Sequence, residues 1–281
     1  MSRHLVQRLG FILLGLIALI VVVPILLVIG TIVARGISAI NWEFLTAMPR
    51  DGMKAGGIFP AIVGTLLLTL GTAVAAIPVG VGGAVYLAEY ARDIWLTRAI
   101  RLAIVNLAGI PSVVYGLFGL GLFVLFLRFG TSILAGSFTL AIMTLPIIIS
   151  AAEEALRVVP NEFRTVSASL GGTRWQGIRH VVLPQALPGI ITGIILGLLR
   201  AAGETAPILF TVAAFFLPHL PQSPLDQTMA LPYHLYVIST QVPGMPLEIQ
   251  YGTALVLLVL VLSMNMVATI IRSYFRRRRQ W

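Results

Sequence analysis

Between Arg8 and Arg35 lies a run, residues 9–34, without a single charged side chain, and five more such runs follow it. They cover 55–88, 102–127, 129–152, 180–199 and 249–271. A helix needs about 20 apolar residues to cross the hydrocarbon core of a bilayer, and every run is long enough. Composition points the same way: 58% of the 281 residues are hydrophobic and 10% are charged, where a soluble domain carries about 25% charged residues. No water-soluble fold of this size hides so much apolar surface, and a disordered chain would be polar. Pro and Gly within the runs suit membrane helices whose neighbours satisfy the freed backbone groups. No series of short alternating strands suggests a barrel. The expectation is an all-α membrane protein of six transmembrane helices, with 205–217 extending the fifth helix outward past Glu204.

The first run follows Arg3 and Arg8 as the apolar part of a signal peptide would. It is well beyond the roughly 7–15 residues of such a segment and is read as a retained anchor. Orientation follows from the basic residues. With both termini in the cytoplasm, inner segments hold 14 of the 19 Lys and Arg, including Arg92, Arg98, Arg101, Arg157, Arg179, Arg272 and the run Arg276 to Arg279. Outer segments hold four, Arg35, Arg50, Lys54 and Arg128, and Arg200 alone sits within a span. Such asymmetry is the positive-inside pattern. It assigns the net charge of +9 to topology and anionic lipid contact rather than to nucleic acid.

Two connecting segments exceed simple turns. Residues 153–179, inside, carry seven charged residues; residues 218–248, outside, carry six prolines and no Lys or Arg. Neither is large enough for an enzyme domain. Cysteine is absent and the four histidines, His4, His180, His219 and His234, match no metal-ligand spacing. His219 and His234 read as interfacial residues. The nucleotide loop G-x-x-x-x-G-K-[ST] needs a lysine on the phosphates, and the one lysine, Lys54, stands in the context DGMKAG. ATP and magnesium, if used, are held by a partner, and no cofactor is expected on this chain. Ion-driven carriers place ionisable groups within spans and often show internal repeats. Here only Arg200 and Glu204 qualify, and no matching halves are visible.

The segment 153–189, EEALRVVPNEFRTVSASLGGTRWQGIRHVVLPQALPG, reads as two short amphipathic helices joined at Gly171-Gly172 and stopped by Leu183-Pro184. Phe163, Val166, Leu170, Trp175 and Ile178 offer apolar contacts, and Arg164, Arg174 and Arg179 charged ones. Helices at this face either float in the lipid interface or dock into a partner's groove. The spacing of Gly171, Val181, Leu183 and Pro184 resembles the cytoplasmic loop of ATP-binding cassette (ABC) importer permeases, E-A-A-x3-G-x9-I-x-L-P. Thr165, Val166 and Ser167 replace the E-A-A triplet, and Glu162 is the acid one turn earlier.

Four further segments are IPVGVGGAVYLAEY (77–90), NLAGIPSVVYGLFGLGLF (106–123), LPIIISAAEEALRVVP (145–160) and RAAGETAPILF (200–210). Together they resemble phosphate importer permeases of the Pst system, and EEALR with GETAP is closer to the PstA-type subunit than to the PstC-type. The resemblance spans roughly residues 58–272. It implies a type I ABC importer permease fold with a cytoplasmic coupling helix, here about 161–177. The organisation would be an anchor helix and outer loop (1–57), a permease domain (58–272) with a coupling loop at about 153–183, and a basic tail (273–281). Implied partners are a PstC-type permease, two PstB-type ATPase subunits and a PstS-type phosphate-binding protein outside, in a bacterial inner membrane. The coupling residues would be Glu162, Arg164, Gly171, Gly172, Arg174, Leu183 and Pro184.

Candidate pathway residues come from the spans. Arg200 and Glu204, four apart, share a helix face: either an intrahelical ion pair, or an arginine that pairs with a phosphate oxyanion while Glu204 orients it and Thr205 adjoins. Pro207 would kink the helix near Gly203. Pro111, Ser112 and Tyr115 fall about 15 Å from the cytoplasmic start of the third span, near the midplane, where the proline loosens the backbone and Ser112 and Tyr115 are hydrogen-bond donors for a passing anion. Alternatively Gly109, Ser112, Gly116 and Gly119 serve close packing, as Ala61, Thr65, Thr69 and Ala73 do in the second span. The outer segment bearing MALPYHLYVIS (229–239) is a docking lip for the binding protein. Trp42, Trp95 and Tyr251 suit the membrane interfaces. Alternatives are a related oxyanion importer (sulfate, molybdate, phosphonate), a gradient-driven carrier or a structural subunit.

Overall fold

A computed structural model describes residues 3–169 and 171–277. Leu170, Arg278 and Arg279 lie outside the described residues. Helix α1, Arg3–Gly36, is followed by the short α2, Trp42–Thr46, whose first turn is capped by Asn41 Oδ1 accepting from Phe44 N at 2.8 Å. A two-stranded ribbon pairs β1, Pro49–Arg50, antiparallel with β2, Ala55–Gly56. Helix α3, Phe59–Val85, is unbroken through Pro78 and ends in a π-helical turn, Tyr86–Tyr90. Then come α4, Trp95–Ala108, and α5, Ser112–Gly119, the latter continued by a π segment to Phe126. Helix α6, Ile133–Val158, starts at Ser132, whose hydroxyl accepts from Ala135 N. Helices α7, Asn161–Ser169, and α8, Arg174–Gly177, lead into α9, Leu183–Gly203. The chain closes with α10, Ala206–Thr211, α11, Leu231–Thr240, and α12, Leu247–Arg277.

Among the described residues five helices are long and apolar enough to cross a membrane, or six if α4 and α5 count as one bent span. That pair is the third run, sharply bent at its proline. The axes of α4 and α5 differ by 105°, and the cause is Pro111, which lacks an N–H and disfavours helical backbone at Ile110. Leu107 thereby loses its i+4 donor. Its carbonyl instead accepts from Ile110 N at 3.1 Å and from the Tyr115 hydroxyl at 2.7 Å, across the elbow. The expected outward extension of the fifth helix is corrected. Glu204 takes extended backbone, φ −77° and ψ 137°, and the chain restarts as α10 with Pro207 in its first turn, where a missing N–H costs nothing.

The core is a sandwich of α6 between α3 and α9. Gly189, Gly193 and Gly197 recur every four residues on α9. A Cβ at Gly189 or Gly193 would stand 2.5 Å from the Cβ of Ala155 or Ala151 on α6. Small residues at this spacing let two membrane helices approach closely and gain dispersion contacts. The small face on α3 packs as the sequence indicates, with Ala61, Thr65 and Thr69 buried. Its partner is backbone: Gly64 abuts the Met229 carbonyl, and Thr65 Oγ1 accepts from Leu231 N at 2.8 Å. Leu183-Pro184 does not stop the second loop helix as expected. A π turn over Ile178–Val182, in which Leu183 N donates to Ile178 O, carries the helix past Pro184. The run from Arg174 to Gly203 is one span.

Candidate functional site

Two groups of charged side chains sit at opposite ends of α9. At its C-terminal end Arg200 Nε donates to Glu204 Oε1 at 3.2 Å. Arg200 belongs to the last turn of α9, where unsatisfied carbonyls favour a cation. Glu204, just past the helix end, reaches back to it, so the pair forms across a cap rather than along one continuous helix face. The guanidinium keeps about a third of its side-chain surface open (35%) and Glu204 less (19%). Glu204 also lines a cavity of about 10 Å³ with Thr65, Thr69, Ala230 and Pro232, space for about one water. Thr205, half-buried, precedes α10 and accepts from Leu209 N.

The elbow packs against this end. Gly116 on α5 faces the Ala206 carbonyl and Pro207 Cα, where an added Cβ would approach to 3.0 Å, and Tyr115 lies within electrostatic reach of Arg200. The structure therefore brings Arg200, Glu204, Thr205 and Tyr115 to one junction of α3, α5, α9 and α10, with half-exposed Ser112 at the start of α5. The phenol's one hydrogen is committed to Leu107. Of the small residues on the third span, Gly116 and Gly119 pack closely, whereas Gly109 sits at the chain break.

The other group surrounds α7 and α8. Arg164, one of the charged residues of this segment, turns inward. Its Nη2 lies 2.7 Å from Glu89 Oε1, Nε lies 3.2 Å from Oε2, and the same guanidinium reaches the carbonyls of Leu156 at 2.9 Å and Val159 at 2.6 Å. Glu89, only 7% exposed, is a buried carboxylate that burial would penalise without this pairing. From beyond the glycines, Arg174 Nη2 donates to the Glu89 carbonyl and its guanidinium stacks 5.1 Å over the Tyr90 ring. Gly171 adopts φ +75° with open space around it, a left-handed turn that suits glycine. Gly172 lies against Ser167, where a Cβ would meet the carbonyl oxygen at 2.9 Å. Glu162, Val166, Trp175 and Arg179 are exposed. Ile178 instead is buried (2%), and Phe163 packs onto the α3–α6–α9 core. Leu183 and Pro184 form the first turn of α9.

Sequence reasoning missed Glu89, which ends an uncharged run and reads as an ordinary boundary charge. The hint was its place in YLAEY beside Tyr90. It also missed the linked set Arg101–Glu153–Arg157, in which Glu153 Oε1 accepts from Arg101 Nε at 2.8 Å and Arg157 Nη2 at 2.7 Å. His234 is no interfacial residue: it is 2% exposed, and its Nδ1 has no hydrogen-bond partner among the described residues. Burial pushes its pKa down to about 4.

A bundle of long apolar helices, with two short helices at one end of α9 and an Arg–Glu ion pair at the other, has the architecture of a multi-pass membrane protein. Residues 76–281 match the family described as binding-protein-dependent transport system inner membrane component, and the chain belongs to that family. It is 33% identical to the probable ABC transporter permease protein YqgI of Bacillus subtilis strain 168, over 95% of each chain. It is 35% identical to the phosphate transport system permease protein PstA 1 of Mycobacterium tuberculosis H37Rv, over 92% of this chain and 84% of that one. Among solved structures, a chain of the MetNI methionine ABC transporter in an inward-facing conformation superposes with a TM-score of 0.62. It covers 76% of this chain and 94% of its own at 18% identity, and shows the shared fold. The protein is thus a multi-pass permease subunit of an ABC importer, a kind of machine that works with an ATPase and a substrate-binding protein.

Proposed function

We propose that this chain is the PstA-type subunit of an ATP-driven inorganic phosphate importer. Its partners are a PstC-type permease, two PstB-type ATPase subunits that hold ATP and magnesium, and a PstS-type binding protein. The observation that carries this reading is the unbroken helical run from Arg174, in the lever, to Arg200 beside Glu204, in a chain 35% identical to a PstA protein along most of its length. The two arginines are about 39 Å apart along that run at 1.5 Å per residue. A push on α7 and α8 from a cytoplasmic ATPase, taken up through Glu162, the Gly171-Gly172 corner and the Leu183-Pro184 turn, is transmitted by α9 to Arg200. The arginine exchanges Glu204 for a phosphate oxygen as the path opens, with Ser112, Tyr115 and Thr205 lining the passage. In this reading both termini and the lever face the cytoplasm, and the 218–248 segment receives the binding protein outside.

The test is ATP-dependent uptake of labelled phosphate by the complete transporter in proteoliposomes, with sulfate and molybdate as competitors. Arg200→Ala removes a charge-assisted hydrogen bond worth about 1.5–3 kcal/mol, so uptake is expected to fall about 10-fold to 100-fold while the complex still assembles. Arg200→Lys is expected to restore part of it. Normal uptake by Arg200→Ala removes this residue from the pathway. Efficient competition by sulfate or molybdate reassigns the substrate, and uptake without ATP points to a gradient-driven carrier.

A further inference from the structure

We infer that α3 is a second transmission element, and that Glu89 is the positioning residue that latches the coupling lever to it. The inference rests on the reading of α7 and α8 as that lever. Both arms close on one residue: Arg164 of α7 grips the Glu89 carboxylate, and Arg174 of α8 takes the Glu89 carbonyl and stacks on Tyr90. The contact is thus made on each side of the Gly171-Gly172 corner, and neither arm can shift against the end of α3 without breaking it.

The latch is stiff for electrostatic reasons. Glu89 is 7% exposed, and Arg164 has 26% of its side chain open. Separating two such charges strands a buried carboxylate, which is far costlier than parting a surface pair. The end of α3 is therefore expected to follow the lever rather than part from it.

The other end of α3 reaches the pathway. Thr65 and Thr69 form part of the wall around Glu204, and Thr65 accepts from the backbone N–H of Leu231 at the start of α11. From Thr65 to Glu89 is about 36 Å along the helix, and α3 packs along α6 in between. A lever movement carried by the latch therefore displaces the wall facing Glu204 as α9 displaces Arg200 on the opposite side. The ion pair is worked from two helices, and the latch keeps them in step.

The test uses the assembled transporter with its binding protein, measuring ATP hydrolysed and phosphate taken up in the same vesicles. Glu89→Gln, which keeps shape and removes charge, is expected to lower phosphate transported per ATP at least 5-fold while hydrolysis continues, and Glu89→Asp to recover part of the ratio. An unchanged ratio in Glu89→Gln overturns the inference. A second arm does not depend on how that variant folds. The chain has no cysteine, so Tyr90→Cys with Arg174→Cys can be bridged by a short bifunctional thiol reagent and compared with the same variant unbridged. If α3 and the lever move as one body, bridging leaves transport within 2-fold; if bridging stops transport, the two slide past each other and the latch is refuted. Failure of the wild-type complex to take up phosphate overturns the substrate reading alone, because the latch is then read from the binding protein's stimulation of ATP hydrolysis, which Glu89→Gln is expected to lose while the basal rate persists.

Discussion

Arg164 and Arg200 show how the same side chain does different work in different surroundings. Arg164 has its carboxylate and two carbonyls within 3 Å, which saturates much of its five-donor fork. Arg200 has a bond to Glu204 at 3.2 Å and a third of its side-chain surface open, so most of its donors are left uncommitted by that contact. The sequence singles out Arg200 and Glu204 because charge within a span is rare and expensive. It could not distinguish Arg164 from its exposed neighbour Arg179, since the difference lies in Glu89, 75 residues earlier. His234 is invisible for the same reason: only packing makes it buried, and its pKa of about 4 lies below the ordinary 6.5. The unfolded chain protonates at 6.5 and the folded chain resists until about 4. Stability is therefore full above pH 6.5 and is lost as pH falls toward 4, by up to about 3 kcal/mol. The thermal midpoint of purified protein should drop between pH 7 and 5 more steeply than that of His234→Gln. Parallel profiles would show that His234 does not drive the loss.

Periodicity and length recover the long helices well, because a span must satisfy its own backbone in lipid. Where the reading fails, a proline is at work each time. Pro111 breaks the third span, Pro207 starts a new helix rather than kinking an old one, and Pro184 is absorbed by a π turn instead of ending its helix. A lone proline does not say which of these three outcomes applies; the neighbours that receive the freed carbonyls decide, as Tyr115 does for Leu107. The α6–α9 contact yields a prediction at this scale. Gly193 meets Ala151 with no room for a methyl group, 2.5 Å from Cβ to Cβ, so Gly193→Val must push the helices apart. Overpacking of this kind costs about 1–3 kcal/mol, and Gly193→Val should lower the thermal midpoint in detergent. Gly203→Val, where nothing lies within 4 Å of the added Cβ, should have little packing effect. Equal losses at both positions would mean that general helix weakening, rather than the α6–α9 fit, sets the cost.

For the molecule as a whole, the direction of transport depends on which end faces the cytoplasm, and here charge and contact geometry can be set against each other. The lever end gathers Arg98, Arg101, Arg157, Arg164 and Arg174, and several are paired: Arg98 holds the Asp93 carboxyl below its ordinary range, Arg101 and Arg157 share Glu153, and Arg164 has Glu89. Partial neutralisation does not spoil the topological signal, since basic residues set orientation with little help from acids. The proline-rich segment 218–248 has no basic residue, and Asp226 is held ionised by the backbone N–H groups of Gln222 and Ser223 at 2.8 Å, a fold that belongs in water. Both features support the proposed orientation, with α7 and α8 on the cytoplasmic side. A cysteine-free chain makes this directly measurable: in intact cells a membrane-impermeant maleimide should label Leu225→Cys, 55% exposed on the 218–248 segment, and spare Val166→Cys, 59% exposed on α7, until the membrane is opened. The reverse pattern would turn the lever outward, away from any source of ATP, and the coupling argument would fail with it.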